Sequence, residues 1–361
     1  MINATLKRNF ARLMKNRIDG QWVKSAGPIV YDIKDPTTQN VVGQVPQCTE
    51  QEFNDIVANS KETFQEWKEV SVSNRVRFML KYQELIKKHE MDLVHMITEE
   101  HGKSHLDAKG DVFRGYEIIE HACSLTSLLQ GETTANVAKN VDIISYRRPL
   151  GVTAGIVPFN FPAMCPLWMI PMSITCGNTF ILKPSERVAG TAEIMIDLLE
   201  QSGVPKGVVN VAQGTRDTVN YMCDHPDIKA ISFVGGNGAG EHIYKRASQR
   251  GCRVQSNMGA KNHAIIMPDA DKDDAINAMI GACFGSAGQR CMAQTVSIMV
   301  GETQDWIPEI VERTKKLTIG HGKENPDLVA LCGRDALERA HGIIKNSETG
   351  GSKILLDGRG V

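Results

Sequence analysis

The sequence predicts an α/β fold built on a mainly parallel sheet, and three observations predict it. From residue 151 onward, short apolar runs alternate with stretches of helical length, the pattern of successive strand–helix–strand units. Beyond three of those runs stand "PFN", "KPSE" and "GGNGAG", and ligands of such sheets sit beyond the carboxyl ends of the strands. The 361 residues, 42% hydrophobic and 23% charged, have an ordinary globular balance and are enough for two domains.

The elements follow in order. The first 18 residues hold Lys7, Arg8, Arg12, Lys15 and Arg17 and no acid, and Leu6, Phe10, Leu13 and Met14 share one helical face. That reads as a mitochondrial presequence or as a basic, solvated N-terminal helix. "NRIDGQWVKS" predicts a hairpin turning at Asp19-Gly20. Thr49-x-x-Glu52 is a capping box that opens a helix to about Glu69. Helices over about 73–100 and 108–129 complete a helical N-terminal block, and 141–149 alternates like an exposed strand. Buried strands are expected at 151–158, 178–184 (with a helix then running to Gly203), 208–212 and 228–236. A second α/β segment opens with strand 263–267 and continues through helix 271–285, "GQRC" and strand "TVSIMV"; the chain ends on "ILLDGRGV", just after an expected strand.

Bulk properties exclude several classes. Net charge is −1 with no basic stripe, which argues against nucleic acid as a partner. No charge occurs from Pro149 to Leu182, but Pro158, Pro162, Pro166 and Pro171 interrupt that run, whereas a spanning helix needs about 20 unbroken apolar residues. Nine Cys, an odd number without a C-x-x-C, argue against a disulfide framework and a zinc site, and for a reducing compartment.

Four segments could carry chemistry. In "FGSAGQRC" a glycine-containing loop between helix and strand could present Cys291 as a nucleophile, although a lone Cys is more often a small buried apolar residue. "PFNFP" places Asn160 in a turn after a buried strand, where its amide could donate to a developing oxyanion or bond its own backbone. "KPSER" offers Lys183 and Glu186 for the two hydroxyls of a ribose, or as a solvated surface pair. "FVGGNGAG" could bring main-chain N–H groups to a diphosphate, but its spacing is not G-x-G-x-x-G and on spacing alone favours a plain strand-to-helix turn.

Taken together, "PFNFP", "KPSE", "FVGG", "NMGAKN" and "GQRC" occur in the order and approximate separations of the aldehyde dehydrogenase superfamily, which the chain resembles from about residue 18 to its end. "DVFRG", "EHACS", "HPDIKAISFVG", "NMGAKNH" and "GQRCMA" are most similar to its CoA-acylating members, which act on malonate and methylmalonate semialdehydes. The resemblance implies a Rossmann-type NAD-binding domain over 19–140 and 151–257, an oligomerisation strand at 141–150 and a second α/β catalytic domain over 258–361. It implies NAD as cofactor, coenzyme A as co-substrate, a homo-oligomer of the tetrameric kind, and a mitochondrial setting in valine and pyrimidine breakdown. Residue by residue, Cys291 matches the nucleophile and Asn160 the oxyanion donor, while Val157, Phe159, Lys183, Glu186, Arg187 and Gly236 match cofactor contacts. The family often has Ser where Gly236 stands, so one side-chain contact is lost.

The expected chemistry is attack of the Cys291 thiolate on an aldehyde, loss of hydride to NAD and a thioester. Hydrolytic relatives carry a Glu base in E-x-G-G-K; this chain has Asn257 there, which cannot act as a base. Water attack should then be slow, which favours transfer to a thiol such as coenzyme A. A substrate β-carboxylate needs a cation, for which Arg290 and Arg114 are the candidates, Arg114 reading equally well as a solvated surface residue. Family members continue past this sequence, and "DLVALCGRDA" departs from their pattern, so the expectation is a C-terminally truncated chain. Two rival readings stay open: a non-catalytic relic or NAD-binding fragment, and a hydrolytic aldehyde dehydrogenase.

Overall fold

The computed structural model of the chain describes residues 11–360. It opens with β1 (Arg12–Leu13), β2 (Asn16–Ile18), β3 (Gln21–Val23), β4 (Ile29–Lys34) and β5 (Val41–Pro46). Helices α1 (Glu50–Trp67), α2 (Val72–Lys88), α3 (Glu90–His101), α4 (His105–Cys123) and α5 (Leu125–Leu128) follow. Then come β6 (Thr133–Ala138), β7 (Val141–Ile144), β8 (Val152–Ile156), α6 (Met164–Thr175), β9 (Thr179–Lys183), α7 (Gly190–Gln201) and β10 (Val209–Val211). The chain continues through α8 (Arg216–Asp224), β11 (Ile228–Val234), α9 (Asn237–Ser248), β12 (Arg253–Asn257), β13 (Asn262–Ile266) and α10 (Lys272–Phe284). It closes with β14 (Gln294–Met299), α11 (Ile307–Thr314) and α12 (Arg334–Thr349).

Two compact units divide these elements. The first takes the described residues up to Ile33, Val41–Met96 and Lys109–Met258. Its centre is a seven-stranded sheet in the order β12-β11-β8-β9-β10-β2-β3. The five strands from β12 to β10 are mutually parallel, and β2 closes antiparallel on β10. Strand order runs outward from β8 to β10 and then returns to β11 on the other flank of β8, so β8 and β11 flank a topological switch point. All five residues of β8 and of β9 are buried, the mark of strands covered on both faces. On one face Ala154, Ile156, Ile231 and Phe233 pack with Phe53, Met222 and Ile243 from α1, α8 and α9. Each of the Ile, Phe and Met side chains among them contributes about 1.5–3 kcal/mol by leaving water. The expected turn is present: Asp19 (φ 48) and Gly20 (φ 73) are both left-handed between β2 and β3, as a two-residue hairpin turn of this twist requires. The capping box is present too, with Thr49 Oγ1 accepting from Glu52 N–H.

The second unit takes Lys34–Asn40, Ile97–Ala108 and the chain from Gly259 onward. Segments 34–40 and 97–108 thus belong to this unit, although they precede most of it in the chain. The unit holds the parallel pair β13–β14, followed in the chain by α11 and α12.

Several expectations are corrected. The described part of the expected basic N-terminal helix is not helical: 12–13 and 16–18 are strands, with Met14, Asn16 and Arg17 at most 4% exposed. The part of that reading over residues 1–10 lies outside the described residues. The helix expected over 73–100 breaks at His89 (φ −105, ψ 20), whose Nδ1 meets Asp92 at 2.8 Å in the first turn of α3. The third helix runs from His105 and stops at Cys123. The exposed strand is shorter than expected, 141–144, and pairs with β6, which the sequence reading missed. No strand forms at 353–356, and the sheet β1-β5-β4 was not anticipated.

Candidate active site

The carboxyl end of the large sheet gathers the expected cofactor contacts. Ile156 of β8 stands opposite both Lys183 of β9 and Phe233 of β11, so the three loops leave the sheet side by side. Val157 N–H donates to the Lys183 carbonyl at 3.2 Å and ties two of them together. Lys183 is 4% exposed, and its Nζ donates to Glu186 Oε2 at 2.8 Å. Burial alone would raise the Glu186 carboxyl, but the charge and hydrogen bond of Lys183, with Arg187 nearby, outweigh it and hold the group below its ordinary value. The Arg187 guanidinium lies over the Phe159 ring, 5.3 Å from its centroid. Gly236 is the N-cap residue of α9, just past the end of β11, and has no side chain of its own to cap that helix. No atom lies within 4 Å of where a Cβ would stand on Gly236, so a Ser would fit and the N-terminus of α9 is open to an anion.

Asn160 is half-buried in the loop from β8 to α6. Asp111, 1% exposed on α4, accepts from Met164 N–H at 2.8 Å and so caps α6 where the loop ends. Sequence reading missed Asp111, because nothing local marks a cap supplied from 53 residues away. Arg114 is exposed and donates to Glu117 of its own helix at 2.9 Å, the surface arrangement that the alternative reading describes. Asn257, exposed at the end of β12, accepts from Gly235 N–H through its carbonyl at 3.0 Å. Its side chain borders a cavity of about 430 Å³ with Thr153, Trp168, Met172, Cys176 and Gln255.

In the second unit, Cys291 is the exposed one of nine free cysteines. Burial pushes Cys48 and Cys223 up to about 12 and also raises Cys123, Cys176, Cys252 and Cys283. The loop that carries Cys291 is built by several contacts. Ser286 (φ 52) and Ala287 (φ 53) are left-handed, and Gly288 (φ 70) continues that conformation. Gln289 donates to the Ser286 carbonyl at 3.2 Å and accepts from Cys332 N–H at 2.9 Å. The Arg290 guanidinium sits against Gly285, where a Cβ would collide with it, and is ion-paired with Asp107. Arg290 thus already has a carboxylate partner, one the sequence reading did not foresee across 183 positions. Asn262 Nδ2 donates to the carbonyls of Cys291 and Ala293, each at 2.8 Å. Among the described residues no group of three or more His, Cys, Asp or Glu could hold a metal ion, and no helix is long and apolar enough to cross a membrane.

Comparison with known proteins agrees with this frame. The mouse protein named methylmalonate-semialdehyde/malonate-semialdehyde dehydrogenase [acylating], mitochondrial, is 51% identical over 345 residues, 95% of this chain and 64% of that protein. The chain therefore spans less than two thirds of that relative's length. A Sinorhizobium meliloti 1021 protein named as a methylmalonate-semialdehyde dehydrogenase, and crystallised with NAD, matches with TM-score 0.95 and 38% identity over 98% of this chain and 73% of its own. The methylmalonate-semialdehyde dehydrogenase of Oceanimonas doudoroffii gives TM-score 0.93 and 37% identity over 97% of this chain and 72% of its own. The family model described as "Aldehyde dehydrogenase family" matches residues 22–361, and the chain belongs to that family.

Proposed function

We propose that the chain oxidises malonate or methylmalonate semialdehyde with NAD and passes the acyl group to coenzyme A with loss of CO2. The observation that carries this reading is Cys291, the exposed one of nine cysteines, presented on a loop held by Asn262, Gln289 and Arg290. The name of the mouse relative, which gives these two semialdehydes and the word acylating, supports the substrate class.

In this reading the Cys291 thiolate attacks the aldehyde carbon, and the resulting oxyanion accepts from Asn160 and from Cys291 N–H. NAD, when bound, supplies the acceptor for the hydride that leaves this adduct and turns it into a thioester. The Lys183–Glu186 pair offers one donor and one acceptor for ribose hydroxyls, and the open N-terminus of α9 beside Gly236 suits a diphosphate. Val157, Phe159 and Arg187 line the same sheet end. Loss of CO2 from the β-carboxylate leaves its electron pair on the thioester carbonyl, stabilised by the same donors, and a proton then completes the acetyl or propanoyl group. The coenzyme A thiolate displaces Cys291. Asn257 offers no base for water, so the thiol wins that step. Arg290 and Arg114 are the proposed carboxylate ligands; Arg290 would exchange or share Asp107, and Arg114 would leave Glu117.

The proposal extends to a mitochondrial setting, in line with the mouse relative's name, and to a place in valine and pyrimidine breakdown. It also extends to a homo-oligomer formed through residues 141–150, where Val141, Ile143, Ile144 and Tyr146 are exposed apolar side chains. The test is NADH formation from malonate semialdehyde with and without coenzyme A, in the parent and in Cys291→Ala. Coenzyme A-dependent turnover lost in Cys291→Ala is expected. Turnover without coenzyme A would favour the hydrolytic reading, and none from folded protein the non-catalytic NAD-binding one.

A further inference from the structure

We infer that Asn262 is the positioning residue of Cys291, its side-chain amide clamping the main chain on which the thiol is presented; the assignment rests on the reading of Cys291 given above. Asn262 opens β13, and its Nδ2 donates to the Cys291 and Ala293 carbonyls at 2.8 Å each. Thr295 Oγ1 in turn donates to the Asn262 carbonyl at 3.1 Å. Pairing between β13 and β14 slips at this point: Asn262 faces Gln294 while His263 faces Val296, which leaves Thr295 over. Residues 291–293 precede β14 and lie outside its ladder, so their carbonyls need donors from elsewhere.

The chemistry selects Asn at this position. A primary amide carries two N–H donors, and Asn262 commits one to each carbonyl. A Ser would keep one donor and an ionised Asp none. What the clamp opposes is visible on either side of Cys291. Upstream, Ser286 and Ala287 are held in the left-handed region, which non-glycine residues avoid. Next to Cys291, Met292 is 80% exposed. Release lets the left-handed pair relax and Met292 bury its side chain, and Cys291 then leaves its presented position.

The experiment is the rate of Cys291 alkylation by iodoacetamide at fixed pH in the full chain, read by peptide mass spectrometry. The half-exposed Cys123, Cys176 and Cys283 serve as internal references. Asn262→Ala is expected to slow Cys291 at least about five-fold relative to the references, the population change that even one of its two hydrogen bonds supports, and Asn262→Gln, with both donors, to recover most of the rate. If Asn262→Ala does not fold, Asn262→Ser is read the same way, with intermediate slowing. A Cys291 rate within about two-fold of the parent, less than the loss of one hydrogen bond supports, overturns the assignment. Equal slowing of all four cysteines does the same. Alkylation needs neither aldehyde nor cofactor, so a failed turnover assay beside a positive alkylation result sinks the nucleophile reading and leaves the clamp standing.

Discussion

Ser286→Gly should stabilise the protein, against the usual effect of placing glycine in an ordered segment. Ser286 is 1% exposed, left-handed at φ 52 and ψ 37, and its hydroxyl has no hydrogen-bond partner among the described residues. The left-handed conformation costs a non-glycine residue about 1–2 kcal/mol. A buried hydroxyl without a partner costs about 1–3 kcal/mol. Opposing these, glycine loses about 0.5–1 kcal/mol more chain entropy on folding, and removal of a buried carbon forfeits about 1 kcal/mol of packing. The net is a gain of about 1–2 kcal/mol, which for a domain of this size raises Tm by about 2–4 °C per kcal/mol. Calorimetry of Ser286→Gly beside Ser286→Ala separates the two terms, since Ala removes the hydroxyl but keeps the backbone strain. A Tm at or below that of the parent for Ser286→Gly refutes the reasoning. Strain of this kind gathers at functional loops, and here it works against the presented position of Cys291, so the stabilised variant should present Cys291 at least as well as the parent.

Burial pushes the Glu193 carboxyl up to about 7, against the Lys15 N–H and the charge of Arg12. A raised carboxyl means that the folded state holds a proton the unfolded chain has released, so stability falls as pH rises from the ordinary carboxylate value toward 7. Glu193→Gln removes that loss, and its advantage over the parent in urea titrations should grow by about 1–3 kcal/mol between pH 4 and pH 8; a constant difference would contradict this. Asn257→Glu should restore a base for water and raise coenzyme A-independent NADH formation by about 100-fold, and an unchanged rate would remove Asn257 from the partition between thiol and water. Arg114→Ala should raise KM for semialdehyde acids about 10-fold or more while leaving propanal nearly unaffected, the worth of one charge-assisted hydrogen bond. Equal effects on both aldehydes would end the carboxylate role.

Much of the sheet end was legible because its signals are local. The strands now seen at 152–156, 179–183, 209–211 and 228–234 are apolar runs with turn residues behind them, and the register that aligns Ile156, Lys183 and Phe233 follows from parallel pairing of such runs. The capping box at Thr49 and the hairpin turn at Asp19-Gly20 are written within four residues each. What escaped depends on distant partners. Residues 29–34 and 41–46 carry strand propensity, but their sheet is completed by a two-residue strand at 12–13, in a segment whose charge pattern suggested a helix. Asp111, Asp107 and Asn262 sit in sequences that look like solvated positions; only the fold brings them to Met164, Arg290 and the Cys291 carbonyl. The break at His89 was hidden because the apolar spacing of α2 continues into α3.

Mass spectrometry of the peptide containing Cys291, after the chain is mixed with semialdehyde and NAD in the absence of coenzyme A, tests the central claim most directly. The account predicts an acyl adduct on Cys291 that requires NAD and disappears when coenzyme A is added. An adduct on any other cysteine, or NADH formed while Cys291 stays unmodified and alkylatable, would contradict it.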